Sequence, residues 1–275
     1  MTRSQLIAQI RQKRSFLCVG LDTDVALLPE CVRHLSNPVV AFNKQIIDAT
    51  HDLCVAYKLN TAFYESRGVA GWQDLMQTWQ CIPKNCLSIA DAKRGDIGNT
   101  STRYAQAFFE EKSSGMSFDA ITVAPYMGSD SVKPFLAFKD KWTIVLALTS
   151  NEGSADFQHH GPANSPLFEQ VIQKVQTWAS PEQLMFVVGA TRGEAFTAIR
   201  KIASQHFLLV PGVGAQGGSL ADVCRFGITS DCGLLVNASR SIIYASNGAD
   251  FAERAREEAL RMQQEMAVEL NKINF

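Results

Sequence analysis

Charged residues of both signs cluster in one short stretch of the chain. An apolar run ending at Ala90 is followed at once by Asp91, Lys93 and Asp96. Side chains two apart in a strand point to the same face, so Asp91 and Lys93 are predicted to project together from a strand end, with Asp96 on the loop beyond. A lysine between carboxylates keeps its proton in a fixed place. The pattern therefore suits a reaction in which a carbanion is stabilised and then protonated by a positioned acid.

These charges have a simpler interpretation, which is an ion-pair cluster on the surface. Such clusters are common at strand ends and contribute little to stability. Charge count alone favours this interpretation, so the case for chemistry depends on the elements that surround the cluster and on the other polar residues that those elements position.

Short apolar runs alternate with helical patterns along the chain. The runs predict strands at residues 16–22, 55–60, 87–91, 119–125, 141–150, 184–190 and 233–240, and a seventh strand that runs directly into a glycine-rich loop within residues 206–218. Eight strand-then-helix units predict a (β/α)₈ barrel in one domain, residues 1–275, with a helix at each end, 4–13 and 250–273. A doubly wound open sheet is the competing α/β arrangement, but its glycine-rich loop would follow the first strand, whereas here it follows the seventh.

Lys58 lies inside an apolar run, residues 55–60. A lysine is rarely buried without a partner, so an inward-facing Lys58 needs an anion, and Asp91 on the next predicted strand is the candidate. Lys44, on the preceding predicted helix, is the alternative bearer of this role, although its helical position favours a solvated side chain. Asp22 ends the first predicted strand, where its simplest role is to cap a turn.

A phosphate site is predicted at the seventh and eighth strands. Barrel enzymes commonly bind phosphate between these two loops, where backbone N–H groups point at the anion. The loop after the seventh strand reads PGVGAQGG, residues 211–218, and its glycines let the backbone approach an anion closely. Arg240 supplies a guanidinium at the end of the next strand. Many barrels that handle sugar phosphates share this pairing, and a glycine-rich turn alone is more often a plain turn.

Composition limits the classes of partner and the compartment. The 275-residue chain has a net charge of -1, which implies no global attraction to nucleic acid or to an anionic membrane. No apolar run approaches membrane-spanning length. The seven cysteines are scattered and form no Cys-x-x-Cys pair, which is typical of reduced packing residues in a cytoplasmic protein. Neither His159–His160 nor any other pattern predicts a metal site or a cofactor.

The motif Asp-x-Lys-x-x-Asp-Ile-x-Asn-Thr at residues 91–100, with strand-end residues in matching order along the chain, resembles the orotidine 5′-phosphate decarboxylase family in the form of its longer bacterial branch. The sequence departs from the shorter branch at Asn60 and at residues 94–96, which affects the expected loop conformation. The resemblance implies decarboxylation of orotidine 5′-phosphate to uridine 5′-phosphate (UMP), the last step of de novo UMP synthesis, without cofactor or metal.

The resemblance also implies roles for individual residues. Catalytic positions correspond to Lys58, Asp91, Lys93 and Asp96, and substrate-binding positions to Asp22, Thr100, Ser150, Gly212, Gly214, Gln216 and Arg240. Lys93 would protonate C6 after carbon dioxide leaves, with Asp91 beside the substrate carboxylate. Asp96 and Thr100 would reach into the partner's site across a homodimer interface.

In the same resemblance, Asp22 and Lys58 would contact the ribose hydroxyls and Ser150 the pyrimidine. Gln216 would bridge the base and the phosphate, and Arg240 would clamp the phosphate. The substrate would therefore extend from the second and third strands to the seventh and eighth.

Two other functions fit parts of the pattern. A metal-dependent aldolase or epimerase of the same barrel group can share Asp-x-Lys-x-x-Asp, but it needs a further carboxylate for Mg²⁺. Glu65 is the candidate, although its position beyond a strand favours a solvated helix residue. A catalytically silent nucleotide-binding or scaffolding barrel is the second alternative, and it leaves the alternating charges at one barrel mouth unexplained.

Overall fold

Eight apolar runs become the strands of a closed parallel barrel in the computed structural model, which describes residues 1–162, 165–190, 193–213 and 218–275. The strands pair in chain order, and the eighth pairs with the first. Their bounds are β1 Leu17–Gly20, β2 Ala56–Asn60, β3 Leu87–Arg94, β4 Ala120–Val123, β5 Trp142–Leu148, β6 Leu184–Val188, β7 Phe207–Pro211 and β8 Leu234–Ala238. The predicted (β/α)₈ fold is confirmed, and the closed order excludes the doubly wound open sheet.

Helices surround the strands and bury their outward faces. The bounds are α1 Arg3–Lys13, α2 Glu30–Arg33, α3 Pro38–Thr50, α4 Ala62–Glu65, α5 Gly68–Gln80, α6 Gly98–Phe109, α7 Glu111–Ser114, α8 Ser129–Leu136, α9 Leu167–Val175, α10 Gly193–Ile202, α11 Leu220–Gly227, α12 Arg240–Ile243 and α13 Phe251–Lys272. Short 3₁₀ helices span Val25–Leu27 and Glu152–Asp156. With helices on the outside and side chains filling the inside, the strands are apolar on both faces, as expected of a parallel sheet.

Specific contacts define the start of the first helix and the packing of the last one. A capping box starts α1, in which the Thr2 hydroxyl accepts from the Gln5 amide and the Gln5 side chain accepts from the Thr2 amide. The long α13 packs on α3, and the rings of Phe42 and Phe251 stack with centroids 4.9 Å apart. No helix in the described ranges is both long enough and apolar enough to cross a membrane.

The helix α11 was not predicted from the sequence. It begins directly after the glycine-rich loop, and the Ser219 hydroxyl caps it by accepting from the Asp222 amide. Its buried face includes Leu220 and Val223. This helix completes the seventh of the eight predicted strand–helix units, whose helix had no predicted bounds.

An irregularity in β3 determines how the barrel presents its charged motif. Ala90 pairs with Ile121 of β4, but the next pair joins Arg94 to Val123, so two extra residues of β3 are accommodated between them. Within this bulge Lys93 has a φ of 47°, in the left-handed region that residues other than glycine rarely adopt. Bulges re-aim side chains, and this one lies at the carboxyl-terminal end of β3.

Candidate active site

A cavity of about 370 Å³ opens at the carboxyl-terminal ends of the strands. This is the end at which (β/α)₈ barrels place their active sites. Predicted site residues that line it are Asp22, Lys58, Asp91, Lys93, Ser150, Gly212 and Arg240. The fold thus brings together residues that are up to 218 positions apart in the sequence, from Asp22 to Arg240.

The carboxylate of Asp91 is the centre of the charged cluster. Its Oδ2 atom accepts from Lys58 Nζ at 2.9 Å, and its Oδ1 atom accepts from Lys93 Nζ at 2.6 Å. A third donor is the Thr122 hydroxyl, 2.9 Å from Oδ1. Three hydrogen bonds, two of them from ammonium groups, hold this carboxylate in one orientation.

Burial and neighbouring charges shift the pKa values of Asp91 and Lys58 in opposite directions. Burial alone raises the pKa of Asp91, but the charges and hydrogen bonds of Lys58 and Lys93 outweigh it and hold the pKa well below its usual range. Burial lowers the pKa of Lys58, but Asp91 and Asp22 reverse the effect and raise it. Both groups therefore stay charged across the physiological range.

Asp22 supplies the second carboxylate. Its Oδ1 atom lies 3.5 Å from Lys58 Nζ. This Oδ1 atom makes no hydrogen bond with the residues that the structure describes. The cluster then contains two ammonium groups and two carboxylates, so its charges balance. The Lys93 side chain remains 49% exposed and faces the cavity, whereas that of Lys58 is 5% exposed.

The opposite side of the cavity is formed by the ends of β7 and β8. Gly212 has a φ of 94°, which only glycine adopts readily. The Ser239 hydroxyl donates to the Gly20 carbonyl at 3.0 Å, and a Cβ atom at Gly20 would lie 2.8 Å from Ser239 Cβ. Glycine at position 20 therefore permits β8 to approach β1 closely. Arg240 follows on the exposed rim, and its guanidinium forms no ion pair with any described residue.

Some predicted residues lie elsewhere. Asp96 and Thr100 are outside the cavity lining of their own chain, with Thr100 exposed on α6. The Asp96 carboxylate accepts from the Ile97 amide at 2.7 Å. Gly214 and Gln216 fall outside the described residues.

Sequence reasoning missed two residues at the site. Thr122 lies beneath the cavity and contacts the charged cluster, and Asn237 lines the cavity with its Oδ1 atom buried and without a partner among the described residues. Both are single polar residues inside otherwise apolar strands, in the runs AITV and LLVNA. That anomaly is the signal that could have found them, because a buried polar side chain needs a partner.

The two residues considered as alternatives, Lys44 and Glu65, form ion pairs outside the cavity lining. Lys44 is exposed on α3 and pairs with Asp48 at 2.5 Å. Glu65 was predicted to be a solvated helix residue, but it is half-buried at the end of α4 and forms an ion pair with Arg94 of β3. In the described ranges, no three or more His, Cys, Asp or Glu side chains are grouped so that they could hold a metal ion.

Known proteins share both the sequence and the fold. The model of the orotidine 5′-phosphate decarboxylase / HUMPS family matches residues 15–255. The chain is 58% identical to the orotidine 5′-phosphate decarboxylase of Flavobacterium johnsoniae over 270 residues, which is 97% of each chain. Its structure is similar to that of Leishmania donovani OMP decarboxylase, with a TM-score of 0.79, 34% identity, and coverage of 96% of this chain and 99% of that one.

A longer protein from Leishmania donovani contains a similar barrel. The structure of Leishmania donovani UMP synthase matches 94% of this chain with a TM-score of 0.80 and 36% identity, and the match spans 56% of the synthase. The family model, the relative and both structures agree along nearly the whole barrel, and the chain belongs to the orotidine 5′-phosphate decarboxylase family.

Proposed function

We propose that this chain decarboxylates orotidine 5′-phosphate with Lys93 as the proton donor to C6. The overall reaction follows from family membership: the enzyme is a carboxy-lyase that converts the orotidine nucleotide to UMP in pyrimidine biosynthesis. The residue roles are proposals that follow from the resemblance to the family, and the geometry supports those of Lys93 and Asp91. The observation that carries them is the Lys93 ammonium, which is fixed 2.6 Å from Asp91 and faces the cavity.

The reaction needs a fixed positive charge. When the bond between C6 and the carboxylate breaks, carbon dioxide leaves and the electron pair stays on C6 as an sp² carbanion with no adjacent electron sink. An ammonium group within roughly 3 Å stabilises that charge in a site closed to water. One N–H bond of Lys93 then breaks as a C6–H bond forms, and the neutral amine takes a proton back from solvent.

Asp91 has two roles in this proposal. Its carboxylate holds Lys58 and Lys93 at once, so it fixes the position of the proton donor. It also lies beside the place of the substrate carboxylate, where two negative charges meet until carbon dioxide departs. Because Asp91 stays ionised, this repulsion is present in the bound substrate and absent in the product complex.

Binding of the rest of the nucleotide is assigned around the cavity. Asp22 and Lys58 contact the ribose hydroxyls, and the Asp22 Oδ1 atom, which has no hydrogen-bond partner among the described residues, is an acceptor suited to one of them. Ser150, from the segment that follows β5, contacts the pyrimidine. The phosphate meets Arg240 and the backbone of the loop that contains Gly212 and Gly214, while Gln216 bridges the base and the phosphate. Binding of the remote phosphate then supports chemistry at C6.

We also propose a homodimer that completes each site. Asp96 and Thr100 lie outside their own cavity, which agrees with a role in the partner's site. Large apolar side chains are exposed nearby: Ile97 is 56% exposed and Tyr126 is 85% exposed. Exposed apolar residues around the motif suit an interface with a second copy of this chain.

A cytoplasmic location fits the same proposal. All seven cysteines are free in the structure, as expected in a reducing compartment. The substrate is a small charged nucleotide, and the balanced net charge of -1 gives no reason to expect nucleic acid or membrane as a partner.

One assay tests the reaction against both alternatives. Purified protein is mixed with orotidine 5′-phosphate, with and without EDTA, and the absorbance of the orotate ring is followed. We expect turnover that EDTA leaves unchanged, with no cofactor added. Loss of turnover with EDTA, restored by Mg²⁺, would support the metal-dependent alternative. Binding of UMP without any turnover would support the silent barrel.

A further inference from the structure

The bulge in β3 leaves a gap in the hydrogen bonding between β3 and β4. Because two extra residues of β3 lie between the Ala90–Ile121 and Arg94–Val123 pairs, the Lys93 amide is out of register with the β4 backbone. Its N–H donates instead to the Thr122 hydroxyl at 3.0 Å. A side chain on β4 thereby takes the place of a backbone carbonyl at the position of the bulge.

The same hydroxyl also contacts the carboxylate. Thr122 Oγ1 donates to Asp91 Oδ1 at 2.9 Å, the atom that accepts from Lys93 Nζ. A hydroxyl has one donor and two acceptor sites, so it can accept from an amide and donate to a carboxylate at once. Thr122 is fully buried and does not line the cavity, so it acts on the site from below.

We infer that Thr122 is a positioning residue for the decarboxylation, linking the backbone of Lys93 to the carboxylate of Asp91 and so fixing the ammonium where C6 is bound. The inference rests on the proposed roles of Lys93 and Asp91. The left-handed φ of 47° at Lys93 is unfavourable for a residue with a side chain, and such conformations persist where surrounding contacts enforce them. The Thr122 hydroxyl is one such contact, and it holds both ends of the three-residue segment.

The consequence for catalysis concerns orientation more than binding. Without the hydroxyl, Lys93 can still pair with Asp91, and the substrate can still meet Asp22, Arg240 and the phosphate loop. What changes is the position of the ammonium relative to C6. A displacement of about 1 Å at a reacting group can cost about 100-fold in rate, so the loss should appear in kcat while KM stays nearly constant.

The test compares three substitutions. Thr122→Val keeps the β-branched shape and removes the hydroxyl, whereas Thr122→Ser keeps the hydroxyl and removes a methyl group. The matched control is Thr143→Val, because Thr143 is buried on the neighbouring β5 and its hydroxyl has no partner among the described residues. We expect kcat to fall about 10- to 100-fold in Thr122→Val, with KM changed by less than about 3-fold. Thr122→Ser should recover most of the rate, and Thr143→Val should match the wild type.

Two outcomes would overturn the inference: wild-type kcat in Thr122→Val, or a loss in Thr122→Ser as large as that in Thr122→Val. If Thr122→Val does not fold, Thr122→Ala replaces it in the same comparison with Thr122→Ser, with the same expectations. Lys93→Ala is measured in parallel. An active Lys93→Ala would contradict the proposed function itself, whereas an inactive Lys93→Ala beside a fully active Thr122→Val contradicts only the positioning role.

Discussion

Lys93 donates to the carboxylate of Asp91 at 2.6 Å, although one residue separates the two along β3. In a regular strand, residues two apart are roughly 6.6 Å from each other along the chain. The contact is made in a strand whose register is broken, with a left-handed φ at Lys93. The protein thus builds a short ion pair from one strand segment, and the bulge leaves the lysine side chain half exposed at the cavity.

The first prediction concerns the proton donor. Lys93→Ala should lower kcat by about 10⁴-fold or more, because it removes both the charge that stabilises the carbanion and the acid that protonates it. The variant should still bind UMP, since the proposed phosphate and ribose contacts involve other residues. Decarboxylation is followed by absorbance and UMP binding by calorimetry.

The matched control is Lys44→Ala, which removes an exposed lysine paired with Asp48 on α3. It should keep wild-type kcat and KM. Comparable activity in Lys93→Ala and Lys44→Ala would remove Lys93 from the chemistry.

Physical rules predicted the buried charged residues of the site but did not identify the residue and the bulge that hold them in position. A lysine buried in an apolar strand needs an anionic partner, so the position of Lys58 predicted its pairing with Asp91 from the sequence alone. Thr122 gave a weaker indication, because a polar residue in an apolar run needs a partner, but a threonine is a common strand residue and the sequence does not reveal which face it occupies. The bulge escaped prediction for a related reason, since it is a property of the pairing between β3 and β4.

Helices were predictable where the periodic repeat of apolar residues continues over several turns. The predicted C-terminal helix at 250–273 matches α13 closely, because its apolar repeat continues over many turns. The eight-residue α11 was missed, since it is short and follows a glycine-rich loop whose turn signals dominate the local sequence. The roles proposed for Asp96 and Thr100 depend on a second copy of the chain, whose position cannot be read from the periodicity of one sequence.

The second prediction concerns pH and stability at Asp91. Its pKa in the folded chain lies below the unfolded value of about 3.9, so its stabilising contribution is complete above about pH 4 and is lost as the pH falls towards the folded value. Asp91→Asn removes that contribution and leaves the buried Lys58 with Asp22 alone. We expect its free energy of unfolding at pH 7 to fall by about 3–5 kcal/mol. Its further loss of stability below about pH 4 should be shallower than in the wild type.

Denaturant titrations between pH 7 and pH 3 measure both effects. The control is Asp52→Asn, which breaks a partly exposed pair with Arg256 and should cost at most about 1 kcal/mol. Equal losses in the two variants at pH 7 would contradict the assignment of a buried, charge-balanced cluster around Asp91.

The third prediction concerns the phosphate. Arg240→Ala should weaken UMP binding by about 10- to 100-fold, the range expected for a lost hydrogen bond to a charged group. Binding of uridine, which lacks the phosphate, should not change. Calorimetry with the two ligands separates a phosphate contact from a general disturbance of the rim.

Arg254→Ala provides the comparison, since Arg254 is an exposed arginine of α13 paired with Asp250. It should bind both ligands as the wild type does. An equal loss of UMP and uridine affinity in Arg240→Ala would show that Arg240 supports the cavity without contacting the phosphate.

The fourth prediction tests the shared site. Asp96→Asn and Lys93→Ala should each be nearly inactive as homodimers. When the two variants are mixed and allowed to exchange subunits, a heterodimer has one site with intact Lys93 from one chain and intact Asp96 from the other. With random exchange, half of the dimers carry one such site, so activity should rise to about one quarter of the wild-type value.

The control mixes Asp91→Asn with Lys93→Ala, whose defects lie in the same chain's cavity, and should show no recovery. Recovery in that control, or none with Asp96→Asn despite proven exchange, would place Asp96 outside the partner's site.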